Sequence, residues 1–471
     1  MRLKKGITIL WMSFAVAFLV TLVLLTKGER KDAESENYEN SSNVLEVYAW
    51  YDEMETFRAL AEGFTEKYPD IQVNVHYLPS SENIQGLQIA INGENVVDVI
   101  AIGTPAAAAQ MIEKNQVMDL SGLLQGADLS GIQVLMESLQ QETDIYMLPY
   151  RNSAWVVYYN TDIFDEENIP YPEGDWTWEE YADMAERLMD PKKGRYGSLN
   201  YESNWWRVPV RTVGAEDPMK EEDLEMFAEA AKWNYELTYE RKAAISYNQL
   251  TSMGGKDYVG RFLSGEAAMM YCGEWCLPMM RERIESEYPD FSYDVAKLPH
   301  WESRESYEER QEVYEHIKES VNTNENSNTN ENAKEQTDTG TDADTGEKFY
   351  AIGSPAVLMV AKKSQKKEEA ALFLKYASGE EGAKQIAAKG ILPAWNSDEI
   401  RQIFQDSMQM PKHTEYFFPK EEISSFPATT DYTMSMNLLH DNIWSYLLGE
   451  VSLETALWNY KSQLAERMVS K

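Results

Sequence analysis

One segment of the chain places an aromatic side chain beside a glycine at the predicted end of a strand. The segment starts at Phe262, continues through an apolar stretch from Ala267 that is typical of a buried strand, and ends in Gly273-Glu274-Trp275. In open α/β sheets, ligands bind at the carboxyl ends of the strands. An indole there offers a flat apolar face, and the adjacent carboxylate offers hydrogen-bond acceptors. The segment therefore predicts a ligand-binding loop.

Similar groups of residues follow other predicted strands. A carbohydrate has C–H faces that stack on aromatic rings and hydroxyl edges that pair with carboxylate, amide or guanidinium groups, so its pocket needs both kinds of side chain. Besides Glu274 and Trp275, the candidates are Trp50 and Asp52 after the first strand, Gly103 and Thr104 after the third, Tyr150, Arg151 and Asn152 farther on, and the pair Trp205 and Trp206.

Several of these candidates also fit a purely structural role. Trp50 fits a core position as well as a binding position. Trp205 and Trp206 are adjacent, so in an extended loop they point in opposite directions and at least one of them packs inside. Arg151 also fits a salt bridge.

Catalysis has little support in the residue pattern. The chain has 79 Asp and Glu, so carboxylate pairs suited to glycoside hydrolysis arise by number alone and indicate nothing. It has no Gly-x-Ser-x-Gly elbow, no His-Glu-x-x-His helix and no phosphate-binding glycine loop, and its 5 His are scattered. We therefore expect neither enzyme activity nor a cofactor or metal. A carbohydrate-active enzyme is the least favoured alternative.

The elements that would position the candidates alternate between strands and helices. Strands are predicted at Val44–Trp50, 71–77 and 96–102, with helices at 55–68 and 82–92 between them. This order implies a mostly parallel sheet with helices on its faces, that is, an α/β fold. The same alternation recurs after Ala154, and the length of 471 residues suggests two or three compact units.

Charge and cysteine content exclude some partners and chemistries. The net charge of −36 would repel a phosphate backbone, so nucleic acid is not expected as a partner. The two cysteines, Cys272 and Cys276, are four residues apart. A disulfide is conceivable in an exported protein, but four-residue spacing on a helix is awkward for one. We expect two buried thiols.

Two segments differ from the rest of the chain. Residues 1–26 combine a basic start with an apolar run from Ile7 to Leu25, which predicts a signal-anchor or, alternatively, a cleaved signal peptide, followed by a disordered tether at 27–43. Either way the body lies outside the cytoplasm. Residues 301–348 form an acidic, low-complexity insertion that we expect to be largely disordered.

An ordered series of motifs runs through the chain. The motifs are Phe64-x-x-x-Tyr68-Pro69-Asp70, Val97-Asp98-Val99, Ile145 to Tyr150 with Tyr158-Tyr159-Asn160, Trp176-Thr177-Trp178-Glu179-Glu180, Gly265 to Trp275, and Gly390-Ile391-Leu392-Pro393. Their order and spacing resemble those of the extracellular solute-binding proteins of family 1, the sugar-capturing subunits of ABC importers, across almost all of residues 44–471. The chain departs from the family in having Val97 for proline and no lipid-bearing cysteine near the amino terminus.

The resemblance implies a type II periplasmic-binding-protein fold, in which two α/β lobes joined by a hinge close on a ligand. Lobe 1 would comprise residues 44–150 and 349–420, and lobe 2 would comprise 151–300 and 421–471. The chain would cross between the lobes near 150–154, 350–356 and 419–426. By the same resemblance, Asp431 and Tyr432 would face the cleft from a late helix.

The function that the resemblance implies is capture of a small carbohydrate, most simply an oligosaccharide, for an ABC importer. The expected partners are the ligand, the permease subunits and the membrane that holds the amino-terminal helix. The protein is expected to be a monomer on the outer face of the cell membrane. The alternative is a membrane-tethered ligand-binding subunit of a sensor system.

Overall fold

The computed structural model describes residues 43–79, 84–93, 95–139, 144–199, 204–252, 257–302, 349–419, 422–424 and 429–469. Almost all of the described residues belong to one compact unit, Leu45–Lys471. The predicted signal-anchor at 1–26, nearly all of the tether and residues 303–348 of the insertion lie outside the described residues. Within the part of the chain that is described, no helix is long and apolar enough to cross a membrane.

The first sheet, called sheet I, has five strands in the order β2-β1-β3-β10-β4. Strands β1 and β3 are parallel, whereas β10 is antiparallel to both β3 and β4. The strands of sheet I are β1 (Val44–Trp50), β2 (Gln72–Leu78), β3 (Val99–Ile102), β4 (Leu148–Arg151) and β10 (Ala356–Val360).

The second sheet, sheet II, has four strands in the order β6-β7-β5-β8. Strands β6 and β7 are parallel, and β5 is antiparallel to both β7 and β8. The strands of sheet II are β5 (Trp155–Asn160), β6 (Tyr196–Leu199), β7 (Ala267–Gly273) and β8 (Tyr293–Ala296).

A small parallel ribbon joins two further segments. Strand β9 (Tyr350–Ile352) pairs with β11 (Glu422–Ser424). Both strands fall in regions where the resemblance expects the chain to cross between lobes, and β9 leads directly into β10 of sheet I.

Helices connect the strands and cover the sheets. Helix α1 buries Phe57, Leu60 and Phe64 on one face, which contributes roughly 1.5–3 kcal/mol for each side chain. A capping box between Thr177 and Glu180 starts α6. The longer helices are α1 (Met54–Lys67), α2 (Ile84–Asn92), α3 (Pro105–Glu113), α6 (Trp178–Leu188), α8 (Glu221–Tyr235), α11 (Cys276–Ser286), α12 (Lys367–Ala377), α13 (Glu380–Ala387), α14 (Asp398–Asp406), α15 (Thr430–Leu447) and α16 (Leu453–Val469).

The remaining α-helices of the described residues are short. They are α4 (Gln133–Leu139), α5 (Thr161–Glu167), α7 (Val208–Arg211), α9 (Tyr247–Ser252) and α10 (Tyr258–Leu263).

The structure corrects three sequence expectations. The sheets are mixed rather than mostly parallel, because β10 and β5 run against their neighbours. Residues Glu222 to Ala244, whose sequence predicts one long helix, form an α-helix only as far as Tyr235, and a π-helical turn follows it. Cys272 and Cys276 are buried thiols, as expected, but they do not share a helix, since Cys272 is in β7 and Cys276 is the first residue of α11.

Candidate ligand-binding site

Strand direction brings the candidate residues to two sheet edges. In sheet I, β1, β3 and β4 run the same way, so the residues that follow Trp50, Ile102 and Arg151 lie at one edge. In sheet II, β7 ends at the edge where the antiparallel β5 begins, and Trp155 pairs with Gly273 there. Only residues 152–154 separate β4 from β5, so the two edges are joined at this point.

An ion-pair triad, formed by Glu53, Arg151 and Glu274, links the two edges. Arg151 Nη2 lies 2.8 Å from Oε1 of Glu53, and Arg151 Nη1 donates to Oε1 of Glu274 at 2.8 Å. Glu53 follows β1 of sheet I, whereas Glu274 follows β7 of sheet II. Both carboxylates are almost fully buried. The guanidinium group therefore connects the ends of two sheets at the place where the chain passes between them.

The second oxygen of each carboxylate accepts a hydrogen bond from another group. The Tyr150 hydroxyl donates to Oε2 of Glu53 at 3.2 Å, and the Ala154 amide donates to Oε2 of Glu274 at 3.0 Å. Burial raises the pKa of both Glu53 and Glu274, although the positive charge of Arg151 opposes the rise. The crossing segment is fixed further, because the Asn152 amide donates to the Leu392 carbonyl at 3.1 Å.

Four aromatic side chains form a cluster at the edge of sheet II. Trp155 makes edge-to-face contacts with Trp205 and with Trp275, at centroid distances of 5.3 and 5.1 Å. Trp205 contacts Tyr258 at 5.6 Å, and the Trp275 indole N–H donates to the Tyr258 hydroxyl at 3.1 Å. Trp155 and Trp275 are half-buried, so part of each indole is open to solvent. The aromatic cluster of Trp155, Trp205, Tyr258 and Trp275 thus has two rings that a ligand can reach.

Sheet I carries a second aromatic group at its own edge. Tyr51 is 56% exposed and stacks on Tyr77 at a centroid distance of 6.3 Å and an interplanar angle of 21°. The Tyr77 hydroxyl donates to the Met54 carbonyl at 3.5 Å, which keeps this ring beside the end of β1. Asp52, next to Tyr51, is exposed. This tyrosine pair and Asp52 supply a flat face and acceptors for a ligand.

The structure moves several predicted site residues into the interior. Trp50 is only 4% exposed, since it ends a strand whose last four side chains are all buried. Tyr51 begins the 3-10 turn after the strand and is exposed. Trp206 packs on Phe227 and donates to His440 Nδ1 at 3.2 Å. Six of the predicted binding residues therefore have buried side chains in this conformation. They are Trp50, Tyr150, Trp205, Trp206, Glu274 and Tyr432.

The other predicted residues keep partly open positions. Arg151 and Trp275 are half-buried, as are Gly103, Thr104, Asn152 and Asp431. The Thr104 hydroxyl caps α3 by accepting a hydrogen bond from the Ala107 amide at 3.2 Å. Asp431 lies in the first turn of α15. Arg151 forms salt bridges, which is the structural role considered for it as an alternative to ligand binding.

The sequence analysis did not select Tyr51, Tyr77, Trp155 or Tyr258. Tyr51 stands between two candidates, Trp50 and Asp52, and begins the 3-10 turn that follows β1. Trp155 opens β5 immediately after the crossing, but only pairing with Gly273 places it beside Trp275.

Sequence comparison with known proteins identifies the family. A sequence model described as "Bacterial extracellular solute-binding protein" matches residues 48–384. The chain belongs to this family. Relatives of this solute-binding protein include the mannitol-binding protein of Pseudomonas aeruginosa, which is 28% identical over 165 residues, covering 34% of this chain and 37% of the relative. The sn-glycerol-3-phosphate-binding periplasmic protein of Shigella dysenteriae is 25% identical over 162 residues, covering 32% and 35%. Both alignments span only about a third of the relative's length.

Solved structures agree with the fold of this solute-binding protein. An ABC substrate-binding protein from Listeria monocytogenes, solved in complex with cycloalternan, aligns with a TM-score of 0.71 and 21% identity over 90% of this chain and 99% of that one. A sugar transporter from Rhizobium etli, in an open conformation, aligns with a TM-score of 0.66 at 21% identity over the same shares. The mixed α/β architecture with two sheets is thus that of sugar-binding proteins of ABC transporters.

Proposed function

We propose that this solute-binding protein captures a small carbohydrate or polyol outside the cytoplasm and delivers it to the permease subunits of an ABC importer. The observation that carries the proposal is the presence of open aromatic faces at both joined edges. They are Tyr51 and Tyr77 on sheet I and Trp155 and Trp275 on sheet II. A C–H face that stacks on such a ring gains roughly 25 cal/mol for each Å² of apolar surface removed from water.

Polar groups next to the rings would pair with the ligand's hydroxyl edges. Asp52 is exposed beside Tyr51, and Asn152 is half-buried in the crossing segment. Arg151 has its terminal nitrogens on Glu53 and Glu274, so we assign it to the hinge rather than to direct binding. This arrangement of apolar walls with a few placed polar groups is the one that small-molecule sites share.

The Glu53–Arg151–Glu274 triad supports a hinge at the crossing. A ligand that contacts both edges would stabilise the closed arrangement by the difference in its affinity for the closed and open states. The family is one of extracellular proteins, and this supports a location outside the cytoplasm. Anchoring through residues 1–26 rests on the sequence pattern alone.

Calorimetric titration tests the proposal directly. The panel should include maltose-type and mannose-type oligosaccharides, D-mannitol and sn-glycerol 3-phosphate, with peptides and polyamines as other ligand classes. We expect saturable heat with at least one sugar or polyol. Binding of peptides or polyamines together with no response to any sugar or polyol would refute the ligand class.

Two variants test the site once a ligand is found. Tyr51→Ala and Trp155→Ala should each weaken binding roughly tenfold, because each removes one stacking face. Trp458→Ala is the matched control, since Trp458 is an exposed indole, 68% accessible, on α16. Equal affinities for all three variants would remove both aromatic groups from the site.

A further inference from the structure

Cys272 and Cys276 lie at the two ends of the turn that carries Glu274 and Trp275. Their sulfur atoms are 2.7 Å apart, and both side chains are fully buried. The four-residue spacing is not helical, because β7 ends at Gly273 and α11 begins at Cys276. The change from strand to helix between the two residues accompanies this close approach of the sulfur atoms. This removes the geometric objection to a disulfide that helical spacing would raise.

We propose that Cys272 and Cys276 form a disulfide in the exported protein and so close a covalent loop around Gly273, Glu274 and Trp275. The inference depends on the proposed function only for the location outside the cytoplasm, where disulfides form and persist. It does not depend on which ligand is bound. Within the described residues, no group of His, Cys, Asp and Glu is arranged to hold a metal ion, so the pair is not explained as part of a metal site.

The chemistry is a thiol–disulfide exchange with an extracytoplasmic thiol oxidase that carries a reactive disulfide. The thiolate of one cysteine attacks the oxidase disulfide and forms a mixed disulfide. The thiolate of the second cysteine then displaces the oxidase sulfur and forms the internal S–S bond. Two protons leave the cysteines, and their two electrons reduce the oxidase disulfide to a dithiol.

Burial determines when this exchange takes place. Both sulfur atoms are inaccessible in the folded protein, and burial raises the pKa of the Cys272 thiol, so the reactive thiolate is disfavoured there. We therefore expect the cysteines to be oxidised during folding, before the turn is buried. Once the bond has formed, the same burial shields it from reductants. The expected disulfide is a stable structural one rather than a rapidly reversible switch.

The bond would act on the candidate site. Glu274 pairs with Arg151 of the triad, and Trp275 contacts Trp155 of the aromatic cluster. Both residues lie inside the closed loop, so the disulfide limits how far either can move when the two edges separate. It thereby fixes the binding indole and the hinge carboxylate in one arrangement.

Thiol counting by mass spectrometry tests the bond. The full chain, exported by a bacterial host, is denatured without reductant and treated at once with N-ethylmaleimide. We expect no adduct on either cysteine, and two adducts when a reductant precedes the alkylation. Two adducts without reduction would overturn the proposal, as would a reducible dimer.

Matched variants test the consequence for stability. Reduction of the unfolded wild-type chain, followed by refolding with the reductant present, should lower its Tm by about 2 °C, as estimated from the entropy of a five-residue loop. The double variant with Cys272→Ser and Cys276→Ser should not respond to the reductant. The single variant Cys276→Ser should take up one adduct without reduction. None of these readouts uses a ligand, so their failure is distinguishable from failure of the proposed sugar binding.

Discussion

The indole of Trp275 occupies the space that a side chain at Gly273 would need. A β-carbon at Gly273 would lie 1.8 Å from Cζ3 of Trp275. The ring therefore folds back over the end of β7 and meets Trp155 there. The glycine of the Gly-x-Trp motif serves to admit this ring.

Replacement of this glycine should displace the ring. Gly273→Ala forces Trp275 away from Trp155, and we expect a roughly tenfold loss of ligand affinity together with overpacking of about 1–3 kcal/mol. Calorimetry and thermal unfolding measure the two effects. Gly122→Ala is the control, since a β-carbon there has no neighbour within 4 Å. Unchanged affinity for Gly273→Ala would show that the indole position is irrelevant to binding.

Trp50 and Tyr51 should respond oppositely to truncation. Trp50→Ala opens a cavity in the core and should lower the free energy of unfolding by about 3–5 kcal/mol. Tyr51→Ala should change stability by no more than about 0.5 kcal/mol, because Tyr51 is exposed, yet it should weaken ligand binding. Chemical denaturation and calorimetry on both variants give the comparison. A large stability loss in Tyr51→Ala would contradict the assignment.

Removal of the triad's positive charge should make stability depend on pH. Arg151→Met leaves Glu53 and Glu274 buried without a counter-charge, which should cost about 3–5 kcal/mol at neutral pH. The pKa of each carboxyl is already raised above the ordinary value of 4.5 by burial, and loss of Arg151 raises it further. A raised carboxyl pKa gives stability that is present below 4.5 and lost as the pH rises through the folded-state pKa.

Acidification from neutral pH toward 4.5 should therefore recover part of the stability of Arg151→Met. Urea unfolding at a series of pH values measures this recovery relative to the wild type. The triple variant that adds Glu53→Gln and Glu274→Gln should lose the extra pH dependence. Parallel pH curves for the wild type and Arg151→Met would show that the carboxylates do not depend on the guanidinium.

His440 should contribute a second pH dependence of opposite sign. Its Nδ1 accepts from the Trp206 indole, and burial and the charge of Arg207 lower its pKa below 6.5. A lowered histidine pKa gives stability that is present above pH 6.5 and lost as the pH falls through the folded-state pKa. His440→Gln keeps an acceptor but does not titrate, so its Tm relative to the wild type should rise as the pH falls below 6.5. A constant Tm difference across pH would contradict this assignment.

We expect that the acidic insertion can be deleted, because the residues on both sides of it form hydrogen bonds to the same residue. The Trp301 amide donates to Thr212 Oγ1 at 3.2 Å, and the Tyr350 amide donates to the Thr212 carbonyl at 2.8 Å. His300 and Phe349 also pack together, with ring centroids 4.3 Å apart. A linker of about six residues, at roughly 3.3–3.6 Å per residue, therefore spans the gap left by deleting residues 303–348.

The deletion variant should keep both its Tm and its ligand affinity. Shortening the chain between two fixed ends changes the closure entropy by only about 0.6 kcal/mol for each halving of its length. Thermal unfolding and calorimetry on the deletion variant check the two quantities. A large loss of stability would show that residues 303–348 make contacts the fold needs.

Local pattern alone predicted much of the fold. The apolar strand β1, the amphipathic face of α1 and the Thr177–Glu180 capping box are set by residues close in sequence, so their composition and spacing are visible in the chain. The ordered motifs also indicated the family to which the chain belongs. The boundaries of the two proposed lobes remain a prediction.

The candidate site depended on contacts that the sequence does not display. Arg151 and Glu274 are separated by 123 residues, and nothing in either segment names the other as its partner. Trp50 and Tyr51 are adjacent aromatic residues, but only the end of β1 at Trp50 and the packing of the core decide that Trp50 is buried and Tyr51 is exposed. The sequence by itself determined the elements and the types of residue at their ends. The tertiary structure decided which of those side chains meet, because strand order and direction bring together residues from distant parts of the chain.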